Sequence, residues 1–389
     1  MLKIEKHNCC GCGSCALSCP KNCISMQEDA EGFLYPLINA ATCINCGLCE
    51  KKCPILSKEE PESRTSLPKT FAVINKDEYI RSESSSGGVF TLLAEEILSR
   101  EGIVYGASFS EDFKSVQHIF VEKSEDLKNL RGSKYLQSNI GNTYKQTKIF
   151  LEEGRPVLFS GTPCQIAGLY TFLGKQFDNL YTADFICHGV PSPLVWRKYV
   201  DFRNSRVSSQ PYEVSFKHKN PSWQKYSLKF VFRNNKKYIK NIFDDLYLQG
   251  FLSDLFLRPS CYNCHFKGLA RPSDISLADF WGIEKINPNM DDKKGTSLLF
   301  INSLKGTDLF DSIKEKTIYE PTNLHEAVSY NGAAVSSASL PKERGAFFEF
   351  FQVNSISKTL KTFCLPPLKV RIKRKLYFIK EKLKNSLFK

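Results

Sequence analysis

CCGCGSCALSCP at residues 9–20 and CINCGLCEKKCP at residues 43–54 carry one pattern twice, Cys-x2-Cys-x2-Cys-x3-Cys-Pro, at an offset of 34 residues. Three thiolates spaced two residues apart lie on one tight loop, where each can reach a different iron of a [4Fe-4S] cube. The fourth, three residues further on and followed by proline, points away and serves the other cluster of the pair. The expected ligand sets are Cys9, Cys12, Cys15 and Cys53 for one cluster, and Cys43, Cys46, Cys49 and Cys19 for its neighbour. Two four-cysteine zinc sites are the competing reading, but zinc ribbons use pairs of Cys-x2-Cys and not triplets with a trailing Cys-Pro. Cys10 and Cys23 fit neither run and default to small buried thiols.

The run is that of a bacterial two-cluster ferredoxin, so residues 1–57 are expected to form such a domain and to move electrons. Residues 58–69, rich in Lys, Glu, Ser and Pro without periodicity, read as a linker. Beyond it the pattern is mixed. Strands are expected at 70–74, 103–109, 116–121, 156–160, 180–186, 212–217, 226–232 and 297–302, and helices at 89–100, 140–153 and 244–256. The fold class is therefore α+β: a ferredoxin unit, a mixed α/β core that binds flavin and iron-sulfur, and a basic C-terminal helix. Its segments are 70–150, 151–325 and a C-terminal extension at 326–389.

The chain has 389 residues and a formal charge of +13, of which residues 366–389 supply +8. The excess is local, so no nucleic acid is expected. In that tail Leu368, Ile372, Leu376, Ile379, Leu383 and Leu387 recur at helical steps, with lysines and arginines filling the other side. Such a helix lies on an anionic membrane surface, docks on a partner or packs on its own domain. Fifteen cysteines, an N-terminus without an apolar signal core and no membrane-spanning apolar run place the chain in a reducing cytoplasm, with the tail offering contact at the inner face of the membrane.

Four more cysteines sit at turn-like places: Cys164 in GTPCQ, Cys187 in ICHG, and Cys261 and Cys264 in PSCYNC. They suit a third [4Fe-4S] cluster; an all-cysteine zinc site or unrelated buried thiols fit the spacing as well. Ser86, Gly87 and Gly88 open the helix at 89–100, where backbone N–H groups can take a phosphate, although a plain serine cap is commoner. Ser133, Lys134 and Tyr135 follow Arg131 and Gly132 in a second segment suited to an anion.

SSSGGVF, RGSKYLQS, FSGTPCQIAGL, DFICHGVPSP, RPSCYNC and RPSDISLADFWG, in that order, resemble the coenzyme F-420 hydrogenase/dehydrogenase beta-subunit family over residues 70–319. The resemblance implies that Cys164, Cys187, Cys261 and Cys264 ligate a third cluster. It also implies that Ser86, Gly87, Gly88, Ser133, Lys134 and Tyr135 help bind FAD. Lys134 is the candidate to stabilise negative charge on reduced flavin. His188 is a candidate proton donor, although a histidine that hydrogen-bonds and steadies its neighbours is the commoner arrangement. Where the family usually reads Gly-Asp the chain has Ala278-Asp279, so Asp279 receives no catalytic role.

The function expected first is a flavin-dependent iron-sulfur oxidoreductase that exchanges electrons between a soluble donor or acceptor and an organic substrate. Bacterial relatives with a leading ferredoxin domain often accompany polysaccharide-biosynthesis genes, which suggests a glycan intermediate. The alternative is an electron-transfer subunit that oxidises or reduces coenzyme F-420 for a partner enzyme. A membrane- or nucleic-acid-binding protein with structural clusters ranks last, because two adjacent ferredoxin-type clusters exceed what a fold needs.

Overall fold

The computed structural model describes residues 2–57 and 67–370. Most of the expected linker, and the basic tail beyond residue 370, lie outside the described residues. Among the described residues no helix is long and apolar enough to cross a membrane.

The N-terminal unit is built around a hairpin of β1 (Ile24–Glu28) and β2 (Leu34–Ile38). Asp29 shapes its turn, its Oδ1 accepting from the amides of Glu31 at 3.0 Å and Phe33 at 3.1 Å. The sequence repeat is also a backbone repeat. Gly13 and Gly47 take φ of 77° and 72° before the one-turn helices Ser14–Leu17 and Leu48–Lys51. Gly11 and Asn45, equivalent in the two runs, are left-handed too, at 69° and 53°. Left-handed residues between cysteines let one short loop turn successive thiols inward, and glycine and asparagine adopt them at least cost.

The core begins with β3 (Lys69–Asn75), β4 (Ile103–Phe109), β5 (Val116–Val121), β6 (Ser138–Asn139), β7 (Val157–Gly161) and β8 (Leu180–Phe185). A separate antiparallel sheet follows, with β10 (Ser227–Phe232) between β9 (Pro211–His218) and β11 (Lys237–Asn241). The chain then returns to the first sheet with β12 (Ile275–Asp279), β13 (Ser297–Ile301) and β14 (Thr317–Pro321). The order in that larger sheet is β14-β3-β13-β12-β8-β7-β4-β5-β6. Its centre, β12-β8-β7-β4, is parallel, and β5, β13, β3 and β14 join antiparallel. Segments 70–150 and 151–325 thus share one sheet.

Alternation places that sheet between two apolar layers. Val73, Val104, Leu158 and Leu299 pack on one side with the helix Val89–Ser99. Their neighbours Ile103, Tyr105, Val157 and Phe159 face the other side, with the helices Thr143–Glu152 and Pro163–Leu173. A third core, rich in aromatic rings, gathers around Trp196 of the helix Pro193–Val207 and the small sheet. The helices Arg344–Val353 and Ile356–Cys364 belong to it, with Phe347 and Leu360 buried. Residues 344–364 are therefore core, where the sequence suggested only an extension.

Two helices are shorter than their periodicity predicts. The expected 140–153 helix starts at Thr143, because Gly141 is left-handed at φ 54°. The expected 244–256 helix runs Leu246–Leu252: the Asp245 side chain accepts from Leu248 N, and Asp254 leaves the helix at φ 60°.

Candidate iron-sulfur site

Cys9, Cys12, Cys15 and Cys53 are buried. Burial, with Cys9 and Cys53 close by, pushes the Cys15 thiol up to about 12. Cys19 instead lines a cavity of about 390 Å³ with Cys43, Cys46 and Cys49. The fourth cysteine of the first run thus stands with the triplet of the second. Cys23 lines the same cavity, its Sγ 3.3 Å from Cys19 Sγ and its amide donating to that sulfur at 3.4 Å. Cys46 is exposed, so this end of the unit opens to solvent.

The opposite end meets the core. β7 and β8 run parallel as neighbours, and their carboxyl ends open on the edge where such sheets bind ligands. Cys164 stands in the first turn of the helix Pro163–Leu173, which a capping box of Thr162 and Gln165 fixes. Cys187 follows β8 by two residues. A bridge between Pro191 and Leu257, with Arg258 N donating to Val190 O at 2.9 Å, lays the next loop against the turn that carries Cys261 and Cys264. The Cys261 sulfur accepts from Val190 N at 3.4 Å, and Cys264 N donates to Ser337 Oγ at 2.9 Å. All four cysteines line one cavity of about 560 Å³.

Cys10 lines it too. The sequence suggests no more than a buried thiol there, but the Cys10 thiol hydrogen-bonds with Cys12 of the first set and with Cys164 of the cavity.

The cavity's electrostatics suit thiolates only with compensation. Burial pushes Cys187 up to about 12 and raises Cys261 and Cys264. A hydrogen bond with Cys10, then burial, holds Cys164 well above its ordinary value. Ionised sulfurs here need cations, and Arg258, Lys267 and Arg271 line the same walls. Lys267 Nζ donates to the carbonyls of Cys187 and Ala333, while Arg271 is buried and paired with Asp184 at 2.9 Å. This donor set fits a cysteine-ligated cluster. Among the described residues no three His, Cys, Asp or Glu side chains gather tightly enough for a single metal ion.

The two segments expected to bind flavin meet. Ser85 Oγ lies 2.9 Å from Ser133 Oγ and accepts from Ser133 N at 2.8 Å. Ser86 Oγ donates to Thr296 O at 2.8 Å, Gly87 N donates to Ser297 Oγ at 3.0 Å, and Gly88 opens its helix with φ 83°. A Cβ on Gly87 would stand 2.4 Å from the Val73 carbonyl oxygen, so contact with the sheet already requires glycine there. Lys134 Nζ donates to the carbonyls of Leu130, Arg131 and Gly132 at 3.2, 2.8 and 3.2 Å, and burial pushes it down to about 7. These residues fit a flavin only in part: the serine clamp and the buried lysine are present, but the Gly87 amide is taken. None of the six lines either cavity.

Tyr135 stacks on Phe251 at 4.6 Å, and Phe251 meets the His188 ring edge-on at 5.2 Å. A continuous run of rings therefore joins the Lys134 segment to the four-cysteine cavity. His188 Nε2 pairs with Asp254 Oδ1 at 2.5 Å, and Asp279 pairs with Lys217. Both make steady structural contacts.

A two-cluster unit docked on a mixed sheet, with a further cysteine-lined cavity at the junction, defines an iron-sulfur electron-transfer protein and places it among the oxidoreductases. The chain belongs to the coenzyme F420 hydrogenase/dehydrogenase beta-subunit family. That family's N-terminal profile matches residues 70–143 and its C-terminal profile residues 154–327, preceded by a 4Fe-4S dicluster domain at 8–55. An uncharacterised protein of Methanocaldococcus jannaschii is 25% identical over 208 residues, covering 45% of this chain and 56% of that protein. The chain thus spans little more than half the length of that relative. An uncharacterised protein of Porphyra purpurea is 34% identical over 70 residues, covering 16% of this chain and 93% of that protein. Among solved structures, a chain of the F420-reducing [NiFe] hydrogenase complex from Methanosarcina barkeri aligns with TM-score 0.46 and 15% identity, covering 68% of this chain and 90% of that one.

Proposed function

We propose that this chain is an electron-transfer beta subunit that oxidises or reduces coenzyme F-420 for a partner enzyme. The observation that carries the reading is the convergence of Cys164, Cys187, Cys261 and Cys264 in one cavity against the ferredoxin unit. Such a junction has a use only if electrons cross it. The exposed Cys46 end faces the partner, and the buried Cys9 end hands on to the core.

In this reading Cys9, Cys12, Cys15 and Cys53 hold the first [4Fe-4S] cluster, and Cys43, Cys46, Cys49 and Cys19 the second. Cys164, Cys187, Cys261 and Cys264 hold the third. Clusters carry single electrons and F-420 exchanges a hydride, so a bound FAD would supply the change from one electron to two. The chain's part is positional. The Ser85–Ser133 contact clamps the two segments, and the Tyr135–Phe251–His188 rings pack between Lys134 and the cavity. Lys134 holds a buried amine against three carbonyls, lowered to about 7 and so able to take a proton as negative charge develops. The family match favours F-420 over a glycan as the substrate.

The test is anaerobic purification with iron, sulfide and flavin quantitation, followed by assay with reduced viologen and F-420. About twelve irons per chain, falling to about eight in Cys187→Ser, together with F-420 reduction, supports the reading. Zinc in the four-cysteine site, or clusters that dithionite does not reduce, would overturn it.

A further inference from the structure

One buried cation stands between the first cysteine set and the third. Arg258 has no exposed surface and stands three residues before Cys261. On the ferredoxin side its Nε donates to the Cys9 carbonyl at 2.7 Å, and its Nη2 donates to Leu34 O at 2.9 Å while lying 3.7 Å from Cys9 Sγ. Its Nη1 donates to Gln137 Oε1 at 2.9 Å, and Gln137 Nε2 donates in turn to the Cys10 carbonyl at 3.1 Å. The guanidinium lies over the Tyr35 ring, 4.3 Å from its centroid. On its other side it lines the cavity of Cys164, Cys187, Cys261 and Cys264. Gly11 makes the approach feasible, because a Cβ there would stand 2.7 Å from Nη1.

Among the described residues none of these hydrogen bonds goes to a carboxylate. A fully buried guanidinium without a counter-charge is costly, and charged groups persist in such places when an opposite charge is near. The sites on either side are where negative charge would reside.

We propose that Arg258 is a positioning residue shared by the first and third clusters, its fixed charge raising both reduction potentials together. This rests on the reading that both cysteine sets hold [4Fe-4S] clusters. Reduction adds one negative charge to a cluster. A cation held nearby in a medium of low dielectric favours that state, and so does a hydrogen bond to a ligand sulfur. In the transfer one electron leaves one cluster and arrives at the other; no bond or proton moves. The second set lines a cavity that Arg258 does not reach, so it serves as the internal control.

The test uses the full-length chain with its clusters, counts iron first, and then follows each cluster by EPR during a redox titration. In Arg258→Gln iron stays at about twelve per chain. The first and third potentials fall by at least tenfold in equilibrium constant, about 59 mV for one electron, and the second does not move. Arg258→Lys keeps the charge and restores most of the shift. Gln137→Glu sets a carboxylate against Nη1 while Arg258 stays in place, so it tests the same charge even where Arg258→Gln fails to fold. It lowers the same two potentials. Unmoved potentials in Gln137→Glu, or three potentials moving alike, would overturn the proposal. Wild-type iron near eight would instead remove the three-cluster reading beneath it.

Discussion

Gly168→Ala should destabilise this protein, although the same exchange in a helix ordinarily stabilises. Gly168 lies inside the helix Pro163–Leu173, where alanine is favoured over glycine by about 1 kcal/mol. Here the new Cβ would stand 2.8 Å from Cys12 Cβ, 3.0 Å from Cys12 Sγ and 3.0 Å from Tyr144 Oη. Neither neighbour yields easily. The Tyr144 hydroxyl is pinned by its bond to Gln165 O at 2.7 Å, and Cys12 is held between two left-handed glycines, Gly11 and Gly13. Overpacking of this kind costs about 1–3 kcal/mol, and the rigid neighbours put it near the upper end. The net loss is about 1–2 kcal/mol after the propensity gain. Denaturant unfolding under anaerobic conditions, followed by far-UV dichroism and by cluster absorbance, reads both the fold and the junction. Gly345→Ala is the matched control: it lies in the helix Arg344–Val353 with nothing within 4 Å of a new Cβ, and should gain up to about 1 kcal/mol. If Gly168→Ala gains stability as Gly345→Ala does, the close approach of Cys12 to this helix is wrong.

Trp196→Ala should cost about 3–5 kcal/mol in the same unfolding assay. The ring packs on Phe216 at 4.6 Å and Tyr247 at 5.0 Å, and its Nε1 donates to Phe113 O at 2.7 Å; a loss under about 1 kcal/mol would contradict that packing. Asp245→Ala should cost on the order of 3 kcal/mol, because Asp245 accepts from Tyr199 Oη at 2.5 Å, Tyr238 Oη at 2.9 Å and Leu248 N at 2.8 Å. The check is whether Asp245→Asn recovers part of it. Burial lowers His118 to about 4. Above about pH 6.5 neither state is protonated, and as pH falls towards 4 the unfolded chain takes a proton that the folded chain refuses. Stability should drop by up to about 3 kcal/mol over that interval, and His118→Gln should flatten the slope of stability against pH between about 7 and 5. An unaltered slope would sink the assignment.

Local order was largely legible in the sequence. The cysteine runs announced the N-terminal unit, and β4, β5, β7 and β8 stood out as apolar runs because the larger sheet is buried on both faces. The helix Pro163–Leu173 escaped despite its apolar residues, whereas two of the missed strands lack such a run. β14 has one buried residue, Thr317, and β11 none, so burial left no pattern to read in either. The helices Arg344–Val353 and Ile356–Cys364 carry apolar stripes, Phe347, Phe348 and Phe351 in one and Ile356, Leu360 and Cys364 in the other, but that these pack with the small sheet and Trp196 is set by tertiary structure. At the site, GTPCQ, ICHG and PSCYNC drew attention to four cysteines, but their gathering depends on β7 and β8 being neighbours. Arg258 stood in the motif RPSCYNC without a role, because an arginine at that spot reads as surface until burial is known. Gly87 suggests a phosphate by its place before a helix, while the Val73 carbonyl alone already excludes a side chain.

β3 lies between β13 and β14, so residues 69–75 find both their partners only in residues 297–321. During synthesis, the eight cysteines of residues 9–53 emerge long before that edge can close. The four of the junction cavity acquire their walls only as the sheet completes, because pairings of such high sequence separation form late. Under the proposed three-cluster reading, metal loading falls into two episodes, one on a nascent segment and one on a nearly finished protein, and a chain cut within residues 144–153 would mature its first two centres and never its third.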